Sequence, residues 1–181
     1  MSKLGAITRR TFLFGSIAIA GGLGFGYYKY KQIVDNPLDN NLAEDEAALT
    51  PYVLINQEGV SIIAPRAEMG QGVQTTLAAL VAEEMDLKLE QVNVIHGPAS
   101  AAYFNGVVLE EAVPFASTDT RNMAKRVRAF VQVPAKLLGL QITGGSSSVA
   151  DAYDKMRVAG AAARSVLTKA AAQQMLSLIH I

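Results

Sequence analysis

The stretch that decides the fold is Glu68-Met69-Gly70-Gln71-Gly72-Val73-Gln74-Thr75-Thr76, a glutamine between two glycines directly ahead of a helical pattern. Apolar residues then recur at helical spacing, at Leu77, Leu80, Val81 and Met85. Upstream, residues 52–55 and 60–63 read as two short strands joined by a turn at 56–59. The stretch is therefore predicted to lie between a strand and a helix.

Such a junction offers ligand-binding chemistry. Backbone N–H groups at the start of a helix have no partner within the helix, and the helix dipole favours an anion there. Gly70 lets the backbone approach a ligand closely, and the amide of Gln71 both donates and accepts hydrogen bonds. Taken alone, the pattern is more often only a tight turn before a helix.

A second block of small residues precedes the longest helical pattern in the chain. Residues 143–148 read Thr-Gly-Gly-Ser-Ser-Ser, and residues 149–174 are alanine-rich and free of proline. The serines are predicted to cap this helix and to supply hydroxyl donors, which makes a second site suited to anions. Small residues at Ala159, Gly160, Ala161 and Ala163 predict close packing against a neighbouring element.

Both blocks carry a resemblance to a known family. Residues 68–105 (EMGQGVQTTLAALVAEEMDLKLEQVNVIHGPASAAYFN), the block at 143–148, and residues 156–164 (MRVAGAAAR) resemble the molybdopterin-binding large subunit of the xanthine dehydrogenase family. The likeness is to the branch of that family typified by the isoquinoline 1-oxidoreductase beta chain. It extends over residues 51–174, with a more variable insert around 107–138.

The resemblance implies an α/β (α+β) fold of short strands with packed helices, an incomplete piece of a molybdopterin-binding domain. It implies a molybdenum cofactor, molybdopterin in its cytosine dinucleotide form, and a small-molecule substrate, an N-heterocycle or an aldehyde, hydroxylated with oxygen from water. The implied cofactor contacts are Met69, Gly70, Gln71, Gly145, Ser146 and Ser148. The family's general-base glutamate lies near the far C-terminus of the large subunit and has no counterpart here. We therefore assign no catalytic residue, interpret the chain as an N-terminal fragment, and expect the fragment itself to be inactive.

Composition limits the partners. The formal net charge is zero and half of the residues are apolar, which argues against nucleic-acid binding. The absence of cysteine excludes an iron–sulfur cluster within the chain. The resemblance then implies clusters on a separate small iron–sulfur subunit, with a c-type cytochrome as a candidate electron acceptor. His96 follows a predicted strand at 91–95, and we interpret it as hydrogen-bonded structure rather than a metal ligand; no metal ligands are assigned.

The start of the chain carries an export signal. Thr8-Arg9-Arg10-Thr11-Phe12-Leu13 fits the twin-arginine pattern, and an uncharged, glycine-rich segment follows at 12–26. About 15 residues is short of the roughly 20 that a membrane-spanning helix needs. We predict that Arg9 and Arg10 direct the folded protein to the twin-arginine translocon and the periplasm. No clear cleavage site follows, so residues 1–31 are either a cleaved signal or a retained inner-membrane anchor.

Three further segments complete the organisation. Residues 32–50 are acidic and are predicted to form a linker to the folded part at 51–175. Residues 119–132 are predicted to be a helix that ends or kinks at Pro134. Its predicted apolar face comprises Met123, Val127, Phe130 and Val131, and its predicted solvated basic face comprises Lys125, Arg126 and Arg128. Residues 176–181 resemble translated sequencing-adapter DNA and are excluded from fold reasoning. The competing hypothesis is a membrane-tethered periplasmic binding or structural protein without catalytic activity.

Overall fold

A computed structural model of the chain describes residues 3–32 and 34–175, with side chains from Thr11 onward apart from those of Leu13 and Ile17. The chain divides into two compact units, Met1–Ile33 and Val34–Ile181. The proposed adapter-derived tail at 176–181 lies outside the described residues.

The first unit is a single long helix, α1 (Lys3–Lys31). Arg9 and Arg10 lie on its first turns, and their side chains are outside the described part. No helix in the described residues is both long enough and apolar enough to cross a membrane.

The second unit is built on a four-stranded sheet, with strands β1 (Ala47–Thr50), β2 (Val53–Asn56), β3 (Gly59–Ala64) and β4 (Val92–His96). The strands lie in chain order; the first three are antiparallel and β4 is parallel to β3. The β2–β3 turn closes because the Asn56 carboxamide oxygen accepts hydrogen bonds from the N–H groups of Glu58 and Gly59, at 2.9 and 3.1 Å. The three predicted strands are confirmed to within a residue or two at each end.

Strand β1 was missed. It lies inside the segment predicted to be a linker, yet Ala47 pairs with Ile55 and Thr50 with Val53 on β2. Four residues after an acidic run carry too little alternation for a strand to be predicted from sequence. The partner strand supplies the hydrogen bonds that make this segment β-structure.

A parallel pair of strands needs a crossover, and helix α2 (Val73–Glu84) provides it between β3 and β4. The predicted strand-to-helix position of residues 68–76 is thereby confirmed. Helix α5 (Ser147–Gln174) packs directly on α2. The core lies between this helix pair and the sheet, and its fully buried members include Val53, Ile62, Leu77, Val81, Tyr103 and Met156. The structure thus confirms the mixed α/β class.

Close packing of the two helices depends on small residues, as the sequence predicted. Ala159, Gly160 and Ala163 of α5 are buried, whereas Ala161 is exposed. A Cβ added at Gly160 would lie 2.8 Å from the carbonyl oxygen of Val81 on α2. The glycine is therefore needed for the backbones to approach this closely.

Short helices complete the second unit. A 3₁₀ turn (Leu89–Gln91) leads into β4, and two further 3₁₀ helices follow that strand (Ala101–Tyr103 and Val107–Ala112). Two short α-helices then lead to α5, namely α3 (Asn122–Val131) and α4 (Val133–Leu138). The predicted helix at 119–132 is confirmed in its central part, and Pro134 stands in the first turn of α4.

The predicted faces of α3 differ from the observed ones. Met123 and Phe130 are 71% and 76% exposed, and Ala124 is the buried residue of this helix. The side chain of Arg128, predicted to be solvated, is 12% exposed and pairs with Glu110 at 3.7 Å. The apolar spacing correctly predicted a helix here, but it did not predict which face of that helix is buried.

Candidate cofactor-binding site

The first loop, residues 65–72, joins β3 to α2. Gly70 and Gly72 have φ values of 91° and 79°, a left-handed region that side chains other than glycine rarely adopt. The Glu68 carboxylate accepts hydrogen bonds from the N–H groups of Gly70, Gly72 and Gln74, at 2.9, 2.9 and 3.1 Å. These bonds, those to Gln74 and Gly72 foremost, lower the pKa of Glu68 below its ordinary value.

This arrangement corrects one expectation. The start of α2 was predicted to present free N–H groups to an anionic ligand, but Glu68 already accepts from two of the N–H groups there, those of Gly72 and Gln74, and from that of Gly70 in the loop. The α2 N-terminus is therefore neutralised from within the chain. A ligand at this loop would contact polar and apolar side chains rather than a set of free backbone N–H groups.

The side chain of Gln71 folds back on the same loop. Its Oε1 accepts a hydrogen bond from the N–H of Met69 at 2.5 Å, and its Nε2 donates to the carbonyl oxygen of Ala67 at 2.8 Å. A carboxamide has two acceptor sites and two donor hydrogens, so one of each remains for a ligand.

The second loop, residues 139–146, joins α4 to α5. Gly145 and Ser146 both have positive φ, 57° and 50°. This conformation strains a serine by roughly 1–2 kcal/mol. Ser147, the first residue of α5, is buried; its hydroxyl donates to the Gly144 carbonyl at 2.6 Å and accepts from the Asn105 amide at 2.8 Å.

The two loops meet. The N–H of Ala67 donates to the Thr143 hydroxyl across them at 2.8 Å. Between them lies an open cavity of about 310 Å³. Residues from both loops and from the first turns of α2 and α5 line it, namely Met69, Gln71, Val73, Thr76, Thr143, Gly144, Ser146, Ser148 and Val149.

The structure therefore brings four of the six predicted contact residues to one cavity, Met69 and Gln71 from one side and Ser146 and Ser148 from the other. Gly70 and Gly145 do not line it. Gly145 borders a neighbouring cavity of about 440 Å³, and the Glu111 carboxylate would lie 2.6 Å from a Cβ added there. The assignment of all six as cofactor contacts stays a prediction.

The lining suits a neutral, hydrogen-bonding part of a large cofactor. Among described residues, none hydrogen-bonds to the hydroxyl of Ser146 or Ser148, and neither Gly70 nor Gly144 has an atom within 4 Å of the position of an added Cβ. The cavity lies near the lower end of the ~300–1,000 Å³ range of ligand pockets, so it would hold one segment of a dinucleotide cofactor.

The described residues contain no cluster of three or more His, Asp or Glu side chains able to hold a metal ion. His96 instead contacts the Gln74 amide, with 3.3 Å between His96 Nδ1 and Gln74 Nε2. His96 therefore has a polar partner in the described part of the chain, and its interpretation as structural rather than metal-binding stays a prediction.

Sequence reasoning missed the contacts that hold the two loops together. Arg66 of the first loop forms a buried ion pair with Asp151 of α5, 85 positions later. A pair so far apart in sequence leaves no local pattern. Thr143 stood inside the block quoted for the second loop, but its contact with Ala67 depends on the fold.

A family model described as "Molybdopterin cofactor-binding domain" matches residues 15–108, just over half of the chain. The chain belongs to this family. The match includes the whole first loop and ends before the second. The assignment of the second loop to a cofactor site rests on the cavity that it shares with the first and on the sequence resemblance, and it stays a prediction.

Curated relatives are similar over longer stretches. The beta chain of isoquinoline 1-oxidoreductase from Brevundimonas diminuta is 31% identical over 131 residues, 71% of this chain and 13% of that protein. Membrane-bound aldehyde dehydrogenase [pyrroloquinoline-quinone] of Gluconacetobacter polyoxogenes is 29% identical over 173 residues, 93% of this chain and 17% of that protein.

A nicotinate dehydrogenase subunit of Pseudomonas putida is 28% identical over 94 residues, 51% of this chain and 8% of that protein. The molybdopterin-binding chain thus spans less than a fifth of each of these relatives. No solved structure gives a significant match.

Proposed function

We propose that this chain is the N-terminal part of the molybdopterin-binding subunit of an exported molybdenum hydroxylase, which hydroxylates N-heterocycles or aldehydes with oxygen from water. The observation that carries the proposal is the meeting of two separately predicted loops around one cavity in a chain of this family. The names of the relatives, which refer to isoquinoline, nicotinate and aldehyde, support these substrate classes.

In this proposal the residues of the chain bind and orient the cofactor. Gln71 would use its remaining donor and acceptor, and Ser146 and Ser148 their hydroxyls, on the rim of a pterin or on its dinucleotide extension. Val73 and Val149 would cover the apolar side of the ligand. When bound, the cofactor would accept the two electrons that the substrate loses when its electron-poor carbon is hydroxylated. The cytosine dinucleotide form is part of the proposal.

One relative's name gives pyrroloquinoline quinone instead of molybdopterin. That compound carries three carboxylates, which an anion-binding loop would suit. The cavity between the two loops has no cationic side chain in its lining, and Glu68 already neutralises the start of α2. These features disfavour a tricarboxylate in this cavity and suit an uncharged part of molybdopterin.

In this proposal, electrons leave through iron–sulfur clusters outside these 181 residues. This chain contains no cysteine, so it holds no thiolate-bound iron–sulfur cluster. A small iron–sulfur subunit is therefore the proposed partner, with a c-type cytochrome as a further acceptor. The twin-arginine motif supports export to the periplasm, because that route carries folded proteins with their cofactor already inserted.

Substitution of Gln71 tests the cofactor role. In the complete subunit purified with its partner, Gln71→Ala should lower the molybdenum and pterin content. Leaving a buried polar group of the cofactor without its hydrogen-bond partner costs about 1–3 kcal/mol, which corresponds to roughly one to two decades in affinity. Gln57→Ala, at an exposed turn position, is the matched control and should keep full content. A fully loaded Gln71→Ala enzyme with an altered substrate preference would contradict the proposal, as would wild-type enzyme without molybdenum.

A further inference from the structure

A buried ion pair connects the first loop to helix α5, whose first residues also line the cavity. Arg66 Nη2 lies 2.8 Å from Asp151 Oδ2, and the two side chains are 1% and 3% exposed. Arg66 stands in the first loop, three residues before Met69. Asp151 stands on the second turn of α5, three residues after Ser148. The pair therefore joins the two elements that carry the cavity wall.

The pair is the centre of a larger network. Arg66 Nη1 donates to the carbonyl oxygens of Pro65 and Tyr103, each at 2.9 Å. Asp151 Oδ1 accepts from the N–H of Gly106 at 2.8 Å, and Oδ2 accepts from Lys155 Nζ at 2.7 Å. One guanidinium and one carboxylate thus fix the first loop, the 3₁₀ segment at 101–103 and α5 relative to one another.

Stability alone is a poor explanation for this pair. Burial of two charges costs several kcal/mol per ion. Well-packed apolar side chains of similar volume often stabilise a fold as much as a buried ion pair, or more. In addition, Arg66 Nε is buried without a hydrogen-bond partner among the described residues. A guanidinium retained for stability would satisfy all its donors. Its fixed planar fork, however, orients several groups at once.

We propose that Arg66 is a positioning residue: through Asp151 it holds the two cofactor loops facing each other across the cavity. The cofactor role rests on the proposed function; the coupling of the loops does not. Two direct hydrogen bonds also bridge the loops. The exposed N–H of Ala67 donates to the Thr143 hydroxyl at 2.8 Å, and Gln141 Nε2 donates to the Pro65 carbonyl oxygen at a longer distance of 3.3 Å. Loss of the buried pair should therefore release the loops while the helix pair and sheet, which have their own apolar core, stay folded.

The test variant is the double substitution Arg66→Met with Asp151→Asn. It leaves neither member of the pair as an unpaired buried charge, and asparagine keeps an acceptor oxygen for the Gly106 N–H. Lys155, whose side chain is 27% exposed, keeps the Phe104 carbonyl oxygen as an acceptor at 2.8 Å. The matched control is Arg157→Met with Glu84→Gln, which removes an ion pair between α5 and α2 away from the cavity. Both double variants are made in the complete subunit. A single Arg66→Lys variant tests whether a lysine ammonium group can replace the planar guanidinium.

Two readouts separate positioning from general stability. Hydrogen exchange of the cofactor-free subunit reports protection in peptides from the two loops, α2 and the sheet, and molybdenum content with its rate of loss reports cofactor retention. We expect loop protection to fall about tenfold or more in the double variant, with α2 and sheet protection unchanged. Molybdenum should be lost faster by a similar factor in the double variant, and the control should match wild type in both measurements. Arg66→Lys should retain only part of the loop protection and part of the molybdenum.

Equal loss of protection in the loops, α2 and the sheet would overturn the inference, since Arg66 would then be purely structural. Unchanged loop protection would also overturn it. Wild-type subunit without molybdenum, together with selective loop release in the double variant, would overturn the proposed function and support the positioning role of Arg66.

Discussion

Glu68 shows how one side chain changes the chemistry of a helix terminus. The sequence pattern correctly predicted a glycine-rich turn, because Gly70 and Gly72 adopt positive φ. It could not predict that a carboxylate two residues before Gly70 would take the N–H groups of that turn. Which acceptor reaches those groups depends on the path of the loop, and the residue types alone do not determine that path.

The Glu68 contact predicts a specific pH dependence. Its hydrogen bonds lower the pKa below the ordinary value of 4.5, so they stabilise the loop above that value. The stabilisation is lost as the pH falls through the lowered pKa. NMR shifts of the Gly70, Gly72 and Gln74 amides should therefore titrate together with a midpoint below 4.5.

Glu68→Gln should abolish this titration, because an uncharged amide does not change protonation in that range. Glu58→Gln, in the exposed β2–β3 turn, is the control and should leave it intact. A midpoint at or above the ordinary glutamate value, or a titration that persists in Glu68→Gln, would show that another group controls the loop.

At the scale of elements, prediction succeeded where local pattern and tertiary environment agree. The small residues of α5 predicted close packing, and Gly160 lies against the backbone of Val81. Prediction failed for β1, whose hydrogen bonds come from a partner strand. It also failed for the faces of α3. An apolar stripe on a helix does not reveal whether the residues that bury it lie within these 181 residues. Of the site, both loops were predicted, but the Arg66–Asp151 contact that joins them was not.

Gly160→Ala tests the packing of α5 on α2. Alanine favours a helix over glycine by about 1 kcal/mol, whereas forcing a methyl group against the backbone of Val81 costs about 1–3 kcal/mol. We expect a net loss of up to about 2 kcal/mol in the free energy of unfolding, measured by chemical denaturation of the complete subunit. Ala162→Ser adds one atom on an exposed face of the same helix and should change stability little. A stabilised Gly160→Ala variant would mean that the helices separate easily.

At the scale of the whole molecule, the proposed export motif and the proposed cofactor site are mutually consistent, because the twin-arginine route carries folded proteins. Replacing Arg9 and Arg10 together with lysine should leave the complete protein in the cytoplasm with its cofactor inserted. Fractionation of cells with an antibody to the protein measures this, and the molybdenum content of the cytoplasmic pool shows that insertion does not depend on export. Arrival of the double variant in the periplasm at the wild-type level would refute the twin-arginine assignment.

The size of the cavity leads to a prediction for the chain by itself. A volume of about 310 Å³, open between two loops, contacts only part of a dinucleotide cofactor. Each contact at a helix terminus contributes about 0.3–2 kcal/mol, and association costs an estimated ~4–15 kcal/mol in lost translational and rotational freedom. Two loops therefore supply too little binding free energy to retain the cofactor.

We accordingly expect the 181-residue chain, expressed alone in cells that make the cofactor, to purify without stoichiometric molybdenum and without dye reduction on N-heterocycles or aldehydes. The exposed apolar side chains of α3, Met123 and Phe130, should bind a hydrophobic fluorescent dye, because the proposed remainder of the large subunit would cover them. The complete subunit with its iron–sulfur partner is the positive control. Stoichiometric molybdenum with turnover in the isolated chain would sink the proposal that the catalytic base and the other cofactor contacts come from the rest of the protein.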